Sequence, residues 1–243
     1  MIPVPSYTGE PEFFMPTILG HMSPGSDTSW QPWRSPSPLG SRRPTQADLA
    51  AAVQHNDGRE DVLPYSTDAQ NAGAVRVLAV GINPSPWTAA VNAPFARPGN
   101  RFWKSLAAAG ITDEIVDAAS GLSQRDERML AELGFGITNL ASRPTARADE
   151  LSRAELQAGA QRLAQRVEVI RPNVVAILGV TAFRTAFSLP RATLGHQTTQ
   201  HCSDWPQGVQ LWVLPNPSGL NAHENVATHA DKWRTVWSAA KNS

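Results

Sequence analysis

AVRVLAVGI, residues 74–82, decides the fold. Its Val, Leu and Ile fall on both alternating faces, and Gly81 closes it ahead of a proline-rich loop. A strand without a polar face has to be covered from both sides, which is the habit of buried parallel sheets. Two further segments read the same way: PNVVAILG (172–179) and VQLWVL (209–214). FGITNL (135–140) is a shorter strand. Helical patterns separate them. NRFWKSLAAAGI (100–111) stops at Gly110. SRAELQAGAQRLAQRVEVIRP (152–172) opens with Ser152 and Glu155 spaced as a capping box and has Pro172 beyond its end. TAFRTAFSL (181–189) follows the second long strand, and ENVATHADKWRTVWSAAK (224–241) carries Trp233 and Trp237 on one face. Strands alternating with helices predict an α/β fold, a three-layer α/β/α sandwich with a short, mostly parallel central sheet. Trp103, Trp212, Trp233 and Trp237 are expected in its core.

The rest of the 243-residue chain is organised around that core. Residues 1–44 hold nine of the 20 prolines and seven serines, and are expected to form a mobile N-terminal tail. Phe13, Phe14, Trp30 and Trp33 within them leave docking onto the domain as a second reading. Residues 45–73 are a lead-in, with TQADLAAAVQHN (45–56) as a short Thr-capped helix, and 74–243 form the main domain. Apolar residues at 41% and charged residues at 17% suit a packed core. A single cysteine, Cys202, excludes an intrachain disulfide framework and Cys-cluster metal sites. HQTTQHC (196–202) reads as a loop whose spacing fits no common metal site, and no metal or cofactor is expected. No apolar run approaches the ~20 residues of a membrane helix, and MIPVPSYTGEPEFF lacks the pattern of a secretory signal, so a cytoplasmic protein away from membranes is expected.

The 21 basic and 21 acidic residues balance overall and exclude a histone-like polycation. They are unevenly spread. Residues 1–70 carry 4 Arg against 8 acids, and no acid occurs between Asp68 and Asp113, where Arg76, Arg97, Arg101 and Lys104 lie. An acid-free stretch of that kind suits an anionic ligand, although chance in a chain with few charges yields it equally well.

Two loops follow strands, where open α/β sheets bind ligands. GINPSPWTAAVNAPFARPGNRFW (81–103) lacks the glycine spacing of a dinucleotide or nucleotide phosphate loop. It offers the Asn83 amide, the Phe95 ring and backbone stiffened by Pro84, Pro86, Pro94 and Pro98, an inventory matched to a flat neutral ligand such as a nucleobase. Taken alone, Asn83-Pro84 is a turn signal more often than a site. LPNPSGLNAH (214–223) repeats the Asn-Pro-Ser motif.

With GINPS (81–85), PFARPGNRFWKSL (94–106), GITNLASRPTARADELS (136–152) and VLPNPSGL (213–220) in this order, the chain resembles the mismatch-specific uracil-DNA glycosylase and thymine-DNA glycosylase family over residues 74–240. The resemblance implies the uracil-DNA glycosylase fold and a monomeric, monofunctional enzyme. Such an enzyme flips uracil or a related pyrimidine out of a G·U-type mismatch in double-stranded DNA and hydrolyses its glycosidic bond, starting base-excision repair. It implies Asn83 as the catalytic residue placing water. Ile82, Phe95, Thr88 and Asn139 become nucleobase-binding, and Gly219, Leu220 and Ala222 become the wedge that enters the stack. Asn216 and Ser218 complete a DNA-contacting loop. Neither loop contains lysine, so imine chemistry is not expected. Two departures stand out: Ser85, followed by Pro86 and Trp87, replaces the family's glycine, and Ala222 stands where some members carry arginine. A same-fold enzyme for hypoxanthine or a bulky adduct, and a non-catalytic DNA-binding module, remain alternatives.

Overall fold

The computed structural model describes residues 35–54, 58–63, 75–202, 204–219, 221 and 224–241. Its centre is a five-stranded sheet of β1 (Val77–Gly81), β2 (Phe135–Asn139), β3 (Val174–Leu178), β4 (Gly195–Gln197) and β5 (Gln210–Leu214). The strand order is β2-β1-β3-β5-β4. All neighbours are parallel except β4, which runs antiparallel to β5.

The period-2 alternation of the buried strands divides the core in two. Val77, Ala79, Val174, Ala176 and Leu178 face one layer, with α3 (Phe102–Ala108), α4 (Gln124–Leu133) and α7 (Val226–Lys241). Leu78, Val80, Val175 and Ile177 face the other, with α5 (Arg153–Ile170) and α6 (Val180–Ala186). This is the expected three-layer sandwich. Phe102, Phe183 and Trp233 are fully buried, each contributing about 1.5–3 kcal/mol of hydrophobic stabilisation or more. Trp103 is buried as well, while Trp212 and Trp237 are partly buried against the same layer.

Local signals explain the element ends. Ser152 accepts from the Glu155 amide and Glu155 reaches back to the Ser152 amide, completing the capping box of α5. Ser123 and Asp126 do the same for α4, a helix of mostly polar sequence that ends at Gly134 in the left-handed region. The short helix α1 (Gln46–Ala52) is capped by Thr45 and Asp48.

Two sequence expectations change. HQTTQHC is not simply a loop: Gly195–Gln197 is the edge strand β4 and Thr199–His201 a 3₁₀ turn. Backbone pairing to β5 makes that strand, and the His196 ring lies edge-on to Trp212 at 5.3 Å. Cys202 beside it is buried. The stretch after Asn83 is a helix rather than an irregular loop, α2 (Pro86–Val91). Ser85 caps it by accepting from the Thr88 amide at 3.2 Å, and Pro86 sits in the first turn, where a missing N–H costs nothing. The cap contributes about 1 kcal/mol, which explains why serine and proline stand here.

Residues 35–44 meet the domain: the Pro36 carbonyl accepts from Asn92 Nδ2 at 3.2 Å, and Leu39 packs on the core. Phe13, Phe14, Trp30 and Trp33 lie outside the described residues, as do Leu220 and Ala222.

Candidate active site

The strand order creates a crevice. From β1 the chain crosses to β2 on one side, while β3 lies on the other, so the connections at the carboxyl ends of β1 and β3 diverge. A cavity of about 110 Å³ opens there, lined by Asn83, Thr88, Phe95, Asn139, Thr145 and Asn216 among others. Drug-sized pockets span roughly 300–1,000 Å³, so this cavity suits one small flat ring.

Asn83 leaves β1 half-buried, and its amide is pinned. Nδ2 donates one hydrogen to the Arg143 carbonyl at 2.8 Å and the other to Thr145 Oγ1 at 2.7 Å. Thr145 in turn donates to the Arg147 carbonyl at 2.6 Å, so its hydroxyl accepts from Asn83. Both amide hydrogens are spent on the 140–152 loop, and Oδ1 accepts nothing among the described residues. The loop is itself anchored. Arg143 Nε donates to Glu155 Oε1 at 2.6 Å and its Nη2 to the Glu150 carbonyl at 2.8 Å. The Arg143 guanidinium holds the Glu155 carboxyl down to about 2, so the anchor stays ionised across the neutral range.

Phe95 takes a left-handed φ of 54°, costly for an aromatic residue. Its ring stacks on the buried Phe102 ring, with centroids 3.9 Å apart and planes 22° apart. Trp103 and Trp233 brace Phe102 edge-on at 4.9 and 5.7 Å. The aromatic column therefore runs from the core to the cavity and ends in a fixed face. The backbone N–H and C=O of Phe95 have no hydrogen-bond partner among the described residues. At Ile82 the carbonyl accepts from the Ala141 amide at 2.9 Å, which ties the end of β1 to the loop after β2. Thr88 is buried, with Oγ1 accepting from Ser85 Oγ at 3.3 Å.

Asn139 ends β2 beside Gly81. A Cβ on residue 81 would lie 2.2 Å from Asn139 Oδ1, so glycine is what lets that side chain occupy the cavity floor. Nδ2 of Asn139 donates to Glu60 Oε1 at 3.0 Å. Behind it, Asp61 accepts from Thr138 Oγ1 at 2.8 Å and from Arg166 at 3.1 Å. Burial pushes the Asp61 carboxyl up to about 7; the nearby Glu60 charge adds to this, while Arg166 and Thr138 oppose it.

The second loop is sewn to the first. Arg101 donates to the carbonyls of Ser218 at 2.7 Å and Asn221 at 3.1 Å, and its amide to the Pro217 carbonyl at 2.9 Å. Asn216 Oδ1 accepts from the Ser218 amide at 2.9 Å, shaping the turn that presents exposed Gly219. A Cβ on Gly219 would meet the Gly99 carbonyl at 2.9 Å, so the loops touch through bare backbone. Beneath them the buried His229 sits 3.0 Å from the Pro215 carbonyl through Nε2. Burial lowers its pKa, which keeps the ring neutral with the proton on Nε2.

Asn83, Ile82, Thr88, Phe95, Asn139, Asn216 and Ser218 thus share one cavity. Gly219 lies on the adjoining turn, and Leu220 and Ala222 are outside the described residues. Sequence reading assigned nothing to Thr145 or Glu60, which hold the two amides. Thr145 lay within a quoted motif, whereas Glu60 gave no signal in the lead-in. Arg101, read there as part of an anion-attracting stretch, spends its guanidinium on carbonyls. Arg97 at the cavity rim is exposed and pairs with no acid among the described residues. A family model described as the uracil DNA glycosylase superfamily matches residues 68–241.

Proposed function

The chain belongs to the uracil DNA glycosylase superfamily and is a DNA glycosylase of base-excision repair; from that premise, we propose that it removes uracil and related pyrimidines opposite guanine, with Asn83 as the catalytic residue. Breaking the bond between C1′ and the base leaves positive charge on the sugar and negative charge on the base. The enzyme has to extract the nucleotide, fix the base, stabilise the departing anion and deliver water. The observation that carries the reading is the Asn83 amide in the lining of a base-sized cavity, held by both its hydrogens while Oδ1 accepts nothing among the described residues. In that role Oδ1 accepts from the attacking water and aims it, since an amide takes no proton at neutral pH; catalysis then rests on placement and on stabilising the leaving group.

The other roles follow from position. Phe95 stacks on the flipped base, and its unpaired backbone groups meet the base edge. Asn139 meets another edge. Gly219 and Leu220 fill the vacated stack, with Asn216 and Ser218 shaping that loop and Ala222 leaving it uncharged. Arg97 supplies a cation for a phosphate. Among the described residues no lysine lines the cavity. Thr88 faces the C5 side, where its branched side chain crowds a methyl group; thymine should be released about 10–200-fold more slowly than uracil.

Release of uracil, thymine and hypoxanthine from duplexes with guanine opposite tests this reading. Uracil should go fastest, and Thr88→Ala should narrow its lead over thymine. Hypoxanthine leading the series would establish the shifted-target alternative. Binding without any release would leave a non-catalytic module.

A further inference from the structure

The segment 58–63 runs beside β2. Val62 and Ile137 exchange both backbone hydrogen bonds at 2.8 Å as an antiparallel bridge. In that register residue 60 falls opposite residue 139, so the backbone brings Glu60 to Asn139 from 79 positions away. Glu60 is 1% exposed. A carboxylate is expensive to bury and is retained where it is bonded and where its charge has a task.

Its bond to Asn139 settles a question of orientation. Nδ2 of Asn139 donates to Oε1 of Glu60 at 3.0 Å, so the amide NH₂ is turned towards the carboxyl group. The carbonyl oxygen then turns the other way, over Gly81, at the spot where a Cβ would lie 2.2 Å from it. Gly81 and Asn139 both line the cavity, and Asn139 Oδ1 accepts no hydrogen bond among the described residues. Without an acceptor at Glu60 the amide would be able to turn over and offer its NH₂ to the cavity instead.

The geometry points to Glu60 as the positioning residue that makes Asn139 an acceptor only, so that the site selects bases carrying N–H at that edge. Uracil and thymine present N3–H there, and hypoxanthine presents N1–H. Cytosine presents an acceptor and meets the Asn139 oxygen head-on. The inference rests on the cavity holding the flipped base, as proposed above.

The test is single-turnover release of uracil and of cytosine, each opposite an abasic spacer so that neither is paired. The proteins compared are wild type, Glu60→Met, Glu60→Gln, Asn139→Ala and the Glu60→Met/Asn139→Ala double variant. Glu60→Met should slow uracil release on the order of 10-fold and contract the uracil-over-cytosine preference by a similar factor. Glu60→Gln, which both accepts and donates, should fall between. In the Asn139→Ala background Glu60→Met should cost nothing further. An equal cost in both backgrounds, or slower release with an unchanged preference, would show that Glu60 only packs and would overturn the inference. If thermal unfolding shows Glu60→Met to be unfolded, Glu60→Gln decides it, and an unchanged preference there overturns it equally. A wild type that releases no uracil removes the functional reading and this inference together, whereas active wild type with indifferent Glu60 variants removes the inference alone.

Discussion

Gly81→Ala adds a single methyl group where the cavity has no room for one. The new Cβ would lie 2.2 Å from Asn139 Oδ1, 3.4 Å from Asn139 Cγ and 3.3 Å from Phe95 Cζ. Ordinary non-bonded contact begins near 3.5 Å, so the Asn139 amide must retreat by about an ångström. Glu60 holds the amide at 3.0 Å on its far side, and both constraints are not met at once. The backbone is not at issue, because Gly81 lies in a strand without a positive φ. Replacing a strand glycine by alanine even favours the fold by roughly 0.5–1 kcal/mol. Against that stands the charged hydrogen bond, worth about 1.5–3 kcal/mol. The net loss of stability should be about 1–2 kcal/mol, small enough to leave the protein folded. Activity should suffer more, since a displacement of about an ångström at a reacting site costs on the order of 10²-fold. Urea unfolding and single-turnover uracil release on one preparation measure both. A variant releasing uracil within about threefold of wild type would refute Asn139 as a contact to the base.

Thr145→Val removes the hydroxyl that receives one Asn83 hydrogen while keeping its shape, and should lower kcat about 10-fold with KM unchanged; Thr145→Ser should restore the rate, and failure to do so would make Thr145 a packing residue. Leu220→Ala should weaken retention of product duplex by roughly 10-fold yet barely alter release from single strands, because a wedge matters only where there is a stack; gel-shift and release assays on both substrates compare them, and equal effects would remove the wedge. Asp61, raised to about 7 in the fold from its ordinary 3.8, binds a proton when folded that it does not hold when unfolded across that interval. Its contribution to stability is complete below pH 4 and declines as pH rises towards 7, so wild type should lose stability relative to Asp61→Asn between those limits. Parallel denaturation curves from pH 4 to 8 would read a flat difference if Asp61 were ionised in the fold.

The parallel strands were legible because Val77–Gly81 and Val174–Leu178, buried on both faces, have no polar side and Gln210–Leu214 is largely apolar. Helix α5 was legible at Ser152 for a local reason, a cap whose partner is three residues away. Strand β4 was not, since three residues reading Gly-His-Gln acquire extended structure only by pairing with β5. Helix α2 was hidden behind Pro86, which breaks helices everywhere except in the first turn. In the site, Asn83 and Phe95 stood out through motifs in a characteristic order. Thr145 and Glu60 act across 62 and 79 positions, through a loop fold and a bridge register that no local pattern encodes. Arg101 shows the limit of charge counting: its neighbourhood is basic, yet its guanidinium is turned onto loop carbonyls.

Uracil release from a G·U duplex by wild type and Asn83→Ala, at enzyme excess and with fold and duplex affinity checked in parallel, tests the central claim most directly. Wild type should release the base, and the variant should bind the duplex with similar affinity while releasing uracil on the order of 10²–10⁴-fold more slowly, the loss expected when the group that places the water is removed. Equal rates from the two proteins would contradict Asn83 as the catalytic residue.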